Sequence, residues 1–94
     1  MVQAKSLPKT ISPMLARLTR QLFDSTDHLF ELKWDGIRAL VFRDGGKLRM
    51  QSRDLKDLTP LFPELSTLHK SIEADDTVLD GELVCFDDEG RPSL

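Results

Sequence analysis

Lys33 sits in the run Glu31-Leu32-Lys33-Trp34-Asp35-Gly36-Ile37-Arg38, the most specific chemistry-bearing feature of the 94-residue sequence. A lysine amine attacks carbon or phosphorus only as the neutral base. Free lysine titrates near ~10.4, so a nucleophilic lysine needs burial, a neighbouring cation or a metal ion to lower that value. Arg38 is such a cation, five residues on. Further along, Gln51-Ser52-Arg53-Asp54 carries a second arginine, and Leu79-Asp80-Gly81-Glu82-Leu83-Val84 sets Glu82 in an otherwise apolar stretch. A carboxylate there is costly unless it is paired or faces a cleft. Each residue also has a plainer reading. Lys33 fits a solvated lysine at a strand end, Glu31 a surface ion pair, and Arg53 a cap on Asp54 or Asp57. Asp80, which shares the strand parity of Glu82, fits a structural carboxylate. Cys85, His28 and His69 have no partner at metal-ligand or catalytic spacing and read as structural.

These side chains need elements to hold them. His28 to Trp34 alternates, with Phe30, Leu32 and Trp34 on one face and Leu29, Glu31 and Lys33 on the other, so the pattern predicts a strand that turns at Asp35-Gly36. Phe30 and Trp34, opposite the lysine, are expected in the core. The β-branched and aromatic run IRALVFRD predicts a second strand, and Asp44-Gly45-Gly46 a hairpin onto KLRMQSR. Leu61, Leu65, Leu68 and Ile72 recur at three to four residues, which predicts one amphipathic helix after Thr59 with Pro63 in its first turn. TVLDGELVCF reads as a buried strand and DDEGRP as a turn. Pro8 and Pro13 make residues 1–13 an extended arm, with a short helical turn expected at Met14 to Leu18. The expected fold is α+β, antiparallel sheets with a flanking helix. Its division is residues 1–27 as arm and short helix, and 28–94 as the body.

Bulk properties constrain less. Thirteen basic against sixteen acidic residues give a net charge of −3, which argues neither for nor against a nucleic-acid partner. One cysteine excludes an internal disulfide, and no apolar run approaches the roughly 18 residues of a spanning helix. The N-terminus has no apolar stretch behind its lysines. A reduced cytoplasmic protein of one small domain, without a membrane partner, is the expectation.

In order and spacing, ELKWDGIR, QSRD and LDGELV resemble motifs I, Ia and III of the covalent nucleotidyltransferases, the superfamily of DNA ligases, RNA ligases and mRNA capping enzymes. Around them SPMLA, RDLKDLTPLFPEL and FDDEGRPS resemble the ATP-dependent DNA ligases of bacterial end-joining systems. The resemblance covers nearly the whole chain. It implies a partial, ATP-grasp-like nucleotidyltransferase fold, residues 28–94 being the N-terminal portion of an adenylation domain. It implies that Lys33 attacks the α-phosphate of ATP, releases pyrophosphate and keeps AMP, which then passes to the 5′-phosphate of nicked double-stranded DNA in repair and recombination. By the same resemblance Glu31 accepts a hydrogen bond from the adenine amino group, Arg38 and Arg53 contact sugar and phosphates, and Glu82 reaches the ribose hydroxyls or a Mg²⁺ ion. Gly36 gives the turn its tight backbone.

The family also has a later metal-binding glutamate, a pair of lysines for the triphosphate and an OB-fold domain that clamps DNA. None is in this sequence, so the expectation is an N-terminal fragment, inactive alone. Only 32 residues precede Lys33, which favours ATP over NAD, and Glu31 suits adenine better than guanine. A reading from another class is a non-catalytic nucleotide- or protein-binding remnant of the same fold.

Overall fold

The structure is a computed structural model that describes residues 7–93. The first six residues of the expected arm, and Leu94, lie outside the described residues. Strands β1 (Ile37–Asp44), β2 (Lys47–Ser52) and β3 (Asp76–Leu83) form an antiparallel sheet in the order β2-β1-β3. β4 (Cys85–Phe86) and β5 (Pro92–Ser93) make a separate small ladder.

β1 is central, and its middle residues, Ala39 to Phe42, are covered on both faces. The β1–β2 hairpin closes between Asp44 and Lys47, as expected, with Gly45 at φ +62°. That left-handed backbone is open to glycine at little steric cost. On one face Ala39 and Val41 join Met50 and Leu58 in the buried core, and Phe62, Leu65 and Leu68 pack over them. On the other face Phe42 is fully buried under the Arg49 guanidinium, 3.8 Å from its ring centroid. Arg49 donates onward to the carbonyls of Pro8 and Lys9. Gln51, buried beside it, donates to the Ile11 carbonyl at 2.7 Å and accepts from the Ile11 N–H at 3.0 Å. The expected N-terminal arm is therefore a third layer, held by polar side chains of β2.

Four local expectations are corrected. Residues 28–34 are not a strand. A strand takes its hydrogen bonds from neighbours, and among the described residues no strand lies beside this segment. Phe30 and Trp34 are accordingly not core, being 60% and 41% exposed. Met14 to Leu18 forms no helical turn. The amphipathic helix is instead three short 3₁₀ turns, Thr59–Leu61, Pro63–Leu65 and Leu68–Ser71. Their bonds run from residue i+3 to residue i, as from Leu65 N–H to the Phe62 carbonyl at 3.0 Å. Pro60 and Pro63 offer no N–H, and Ser66, Thr67, His69 and Ser71 propagate a helix weakly. TVLDGELVCF is not one buried strand: it breaks at Val84, among the described residues β3 has a strand neighbour on one side only, and Leu79 to Glu82 are exposed. The antiparallel pairing and the helical cover over one face stand as expected. No helix among the described residues is long and apolar enough to cross a membrane.

Candidate active site

An open cleft of about 940 Å³ is lined by residues 15–19, 33–38 and 52–54 and by Glu82. Three of its walls are irregular backbone fixed by specific contacts. The turn at Gly36 lies so close to β3 that a Cβ there would fall 2.4 Å from the Leu83 carbonyl oxygen and 2.6 Å from Val84 Cγ1. Only glycine tolerates that approach. The 52–56 loop folds around Ser52, whose Oγ accepts from the Asp54 N–H at 3.2 Å and the Lys56 N–H at 3.0 Å. Leu55 completes it at φ +66°, a left-handed conformation costly for a branched side chain. The arm is tied down where Arg38 donates to the Met14 carbonyl at 3.0 Å.

The cleft brings together Lys33, Arg38, Arg53 and Glu82 of the five residues expected from sequence; Glu31 is exposed and not among its lining residues. Lys33 Nζ donates to Asp35 Oδ1 at 2.8 Å, in an exposed pair. That hydrogen bond, then the charge of Asp35, raises the lysine pKa and lowers that of Asp35. The direction is opposite to what a nucleophile needs, and Lys33 is an ammonium in this arrangement. Arg38 grips Asp80 through two hydrogen bonds, Nε to Oδ1 at 2.6 Å and Nη2 to Oδ2 at 2.7 Å. This fork holds the Asp80 carboxyl below its usual range and the guanidinium above its own. Arg53 lies 3.7 Å from Asp54, the plainer contact anticipated for it. Glu82 faces Arg38 in the β1–β3 register and also lines a smaller hollow of about 250 Å³ with Trp34, Val84 and Phe86.

Several contributors were not legible as such. Trp34, expected in the core, lines the cleft. Asp35, expected only in a turn, pairs with Lys33, and its spacing of two from that lysine is the signal in the sequence. The arm residues 15–19 have no sequence signal for lining a pocket beyond their proximity to SPMLA. No group of three or more His, Cys, Asp or Glu side chains arranged to hold a metal occurs among the described residues.

A family profile described as ATP dependent DNA ligase domain matches residues 13–94. The chain belongs to that family. Among its ligase relatives are a probable DNA ligase of Streptomyces griseus, 40% identical over 88 residues, and DNA ligase C1 of Mycolicibacterium smegmatis, 47% identical over 75. These alignments cover 89% and 79% of this chain but 17% and 22% of the relatives' lengths. Among solved structures, mycobacterial DNA ligase D complexed with ATP and MES superimposes with a TM-score of 0.61 at 45% identity, covering 67% of this chain and 21% of that one. The chain thus spans about a fifth of the ligases it matches.

Proposed function

We propose that these residues form the N-terminal part of the adenylation half-site of an ATP-dependent DNA ligase. The observation that carries this is the convergence of Lys33, Arg38, Arg53 and Glu82 on one cleft, from three separate segments of the chain. In this reading the neutral Lys33 amine attacks the α-phosphorus of ATP. The N–P bond forms as the bond to the bridging oxygen breaks, and pyrophosphate leaves with that electron pair. AMP is then passed to the 5′-phosphate of nicked double-stranded DNA, and nucleotide and DNA are handled inside the cell in repair and recombination. Arg38, fixed by Asp80, and Arg53 meet the sugar and phosphates, while Glu31 discriminates adenine once residues 28–34 take up strand neighbours. The 28–94 body and the 1–27 arm remain the proposed division.

Glu82 suits Mg²⁺, which is commonly held by one or two carboxylates together with substrate phosphates. Asp35 and Asp54 are engaged by Lys33 and Arg53, so Glu82 is the carboxylate of the cleft left for the ion. When bound, the ion would offset charge building on the phosphates.

The test is a chimera in which residues 1–94 replace the matching segment of the Mycolicibacterium ligase, incubated with radiolabelled ATP and magnesium. Covalent label is expected on the chimera and lost in Lys33→Ala. It is also expected to be lost in Lys33→Arg, whose guanidinium stays protonated. Label retained by Lys33→Ala refutes the assignment. A second reading, a non-catalytic remnant that binds without reacting, is favoured by the Lys33–Asp35 pair and by the position of Glu31 outside the cleft. Nucleotide binding by a folded chimera that takes up no label would select it.

A further inference from the structure

Four cations line the cleft: Arg17, Lys33, Arg38 and Arg53. Three are already matched with a carboxylate of this chain, Lys33 with Asp35, Arg38 with Asp80 and Arg53 with Asp54. Arg17 has no such ion pair among the described residues. An anion entering the cleft competes with an existing carboxylate at each of the other three, whereas at Arg17 it displaces only water. The position is set as well as the charge. Arg38 holds the arm through the Met14 carbonyl, and three residues of chain reach at most about 11 Å, so Arg17 is anchored near the guanidinium of Arg38. Two arginines on different elements can then close on one extended polyanion.

We propose that Arg17 is a phosphate-binding residue of this cleft and contacts the polyphosphate tail of the bound nucleotide. The inference rests on the nucleotide reading given above, and it assigns to the arm a binding role in addition to covering the sheet. Arg17 is exposed, and no hydrogen bond of its side chain is found among the described residues, so replacing it leaves the fold's known contacts intact.

Trp34, the sole tryptophan, lines the same cleft and reports on its occupancy by fluorescence. Residues 1–94 are titrated with tripolyphosphate, ATP and adenosine at fixed magnesium, as wild type, Arg17→Ala and Arg17→Lys, with melting curves for each. Arg17→Ala is expected to weaken tripolyphosphate and ATP by about 10-fold or more, the scale of one charge-assisted contact, to leave adenosine unchanged, and to be partly rescued by Arg17→Lys. Unchanged tripolyphosphate affinity in Arg17→Ala, an equal loss for adenosine, or no wild-type response to tripolyphosphate overturns the proposal. If wild type binds tripolyphosphate through Arg17 but does not bind ATP, the phosphate-binding role of Arg17 stands and the nucleotide reading fails. A 5′-phosphorylated oligonucleotide that requires Arg17 when tripolyphosphate does not would also overturn it, and would move the residue to the DNA.

Discussion

Lys33, a cation at neutral pH like any free lysine, is held further in that form by Asp35, two residues away, which accepts its hydrogen bond. In the ligase reading that pair is a resting contact, and attack on phosphorus requires it to open and the ammonium to lose a proton. The sign of the effect follows. Asp35 raises the lysine pKa, so at any pH below it the fraction of neutral amine is smaller than for a free lysine. Asp35→Asn removes both the hydrogen bond to a carboxylate and its charge. In the chimera, the pH at which AMP uptake is half-maximal is expected to move down in this variant, as read from initial rates of labelling between neutral and alkaline pH. An unchanged profile would mean that the pair is already open in the reacting protein. For folding, the same pair contributes fully in a window above the unfolded carboxylate pKa and below the unfolded lysine pKa. Its contribution is lost in acid as Asp35 protonates and in strong alkali as Lys33 is neutralised. Both side chains are largely exposed, so solvent screening keeps that contribution small.

At the scale of elements, what was legible in the sequence is what is locally determined. The Asp44-Gly45-Gly46 turn and the flanking apolar runs sit within a few residues of one another, and the hairpin forms as expected. Residues 28–34 have an equally good alternation, but a strand needs hydrogen-bonding partners, and periodicity does not say whether any are present. The leucine spacing after Thr59 correctly marked residues that cover the core, Leu65 and Leu68. It did not reveal that two prolines and weak helix formers divide the segment into turns. Of the site, residue types were legible and pairings were not: strand parity put Asp80 and Glu82 on one face without saying that Arg38 reaches diagonally to Asp80. Gly36 joins both levels, since the turn that carries Lys33 is seated against β3 only because position 36 has no side chain. Gly36→Ala must push back the Leu83 carbonyl and Val84, and overpacking of this kind costs roughly 1–3 kcal/mol. Urea unfolding of the chimera should show a lower midpoint for Gly36→Ala, with Gly46→Ala, where a Cβ meets open space, as the control. Equal midpoints would mean that the turn does not lie against β3.

For the whole molecule, the surface is larger than its mass requires. A compact monomer of 10.7 kDa exposes about 5,500 Å², and this chain exposes 8500 Å². The radius of gyration is 16.2 Å, against about 12 Å for a compact domain of this length. Much of the excess is apolar: Leu18, Leu22 and Leu29 are almost fully exposed, and Leu32, Phe30 and Met14 largely so. The outer edge of β3 adds a row of backbone groups with no strand beside it among the described residues. Exposed apolar clusters and open strand edges are the surfaces on which chains associate. Residues 1–94 expressed by themselves are therefore expected to self-associate, with an apparent mass that rises with concentration in sedimentation or light scattering. They are also expected not to seal nicked DNA, because three of the four cations of the cleft are matched by carboxylates of the chain itself. Replacing Leu18, Leu22 and Leu29 together with serine should return the mass toward the monomer, and Leu79→Lys on β3 separates the contribution of the strand edge. A concentration-independent monomeric mass for the unsubstituted chain would show that these leucines are covered in solution, and nick sealing by that monomer would show that the 94 residues suffice for ligation.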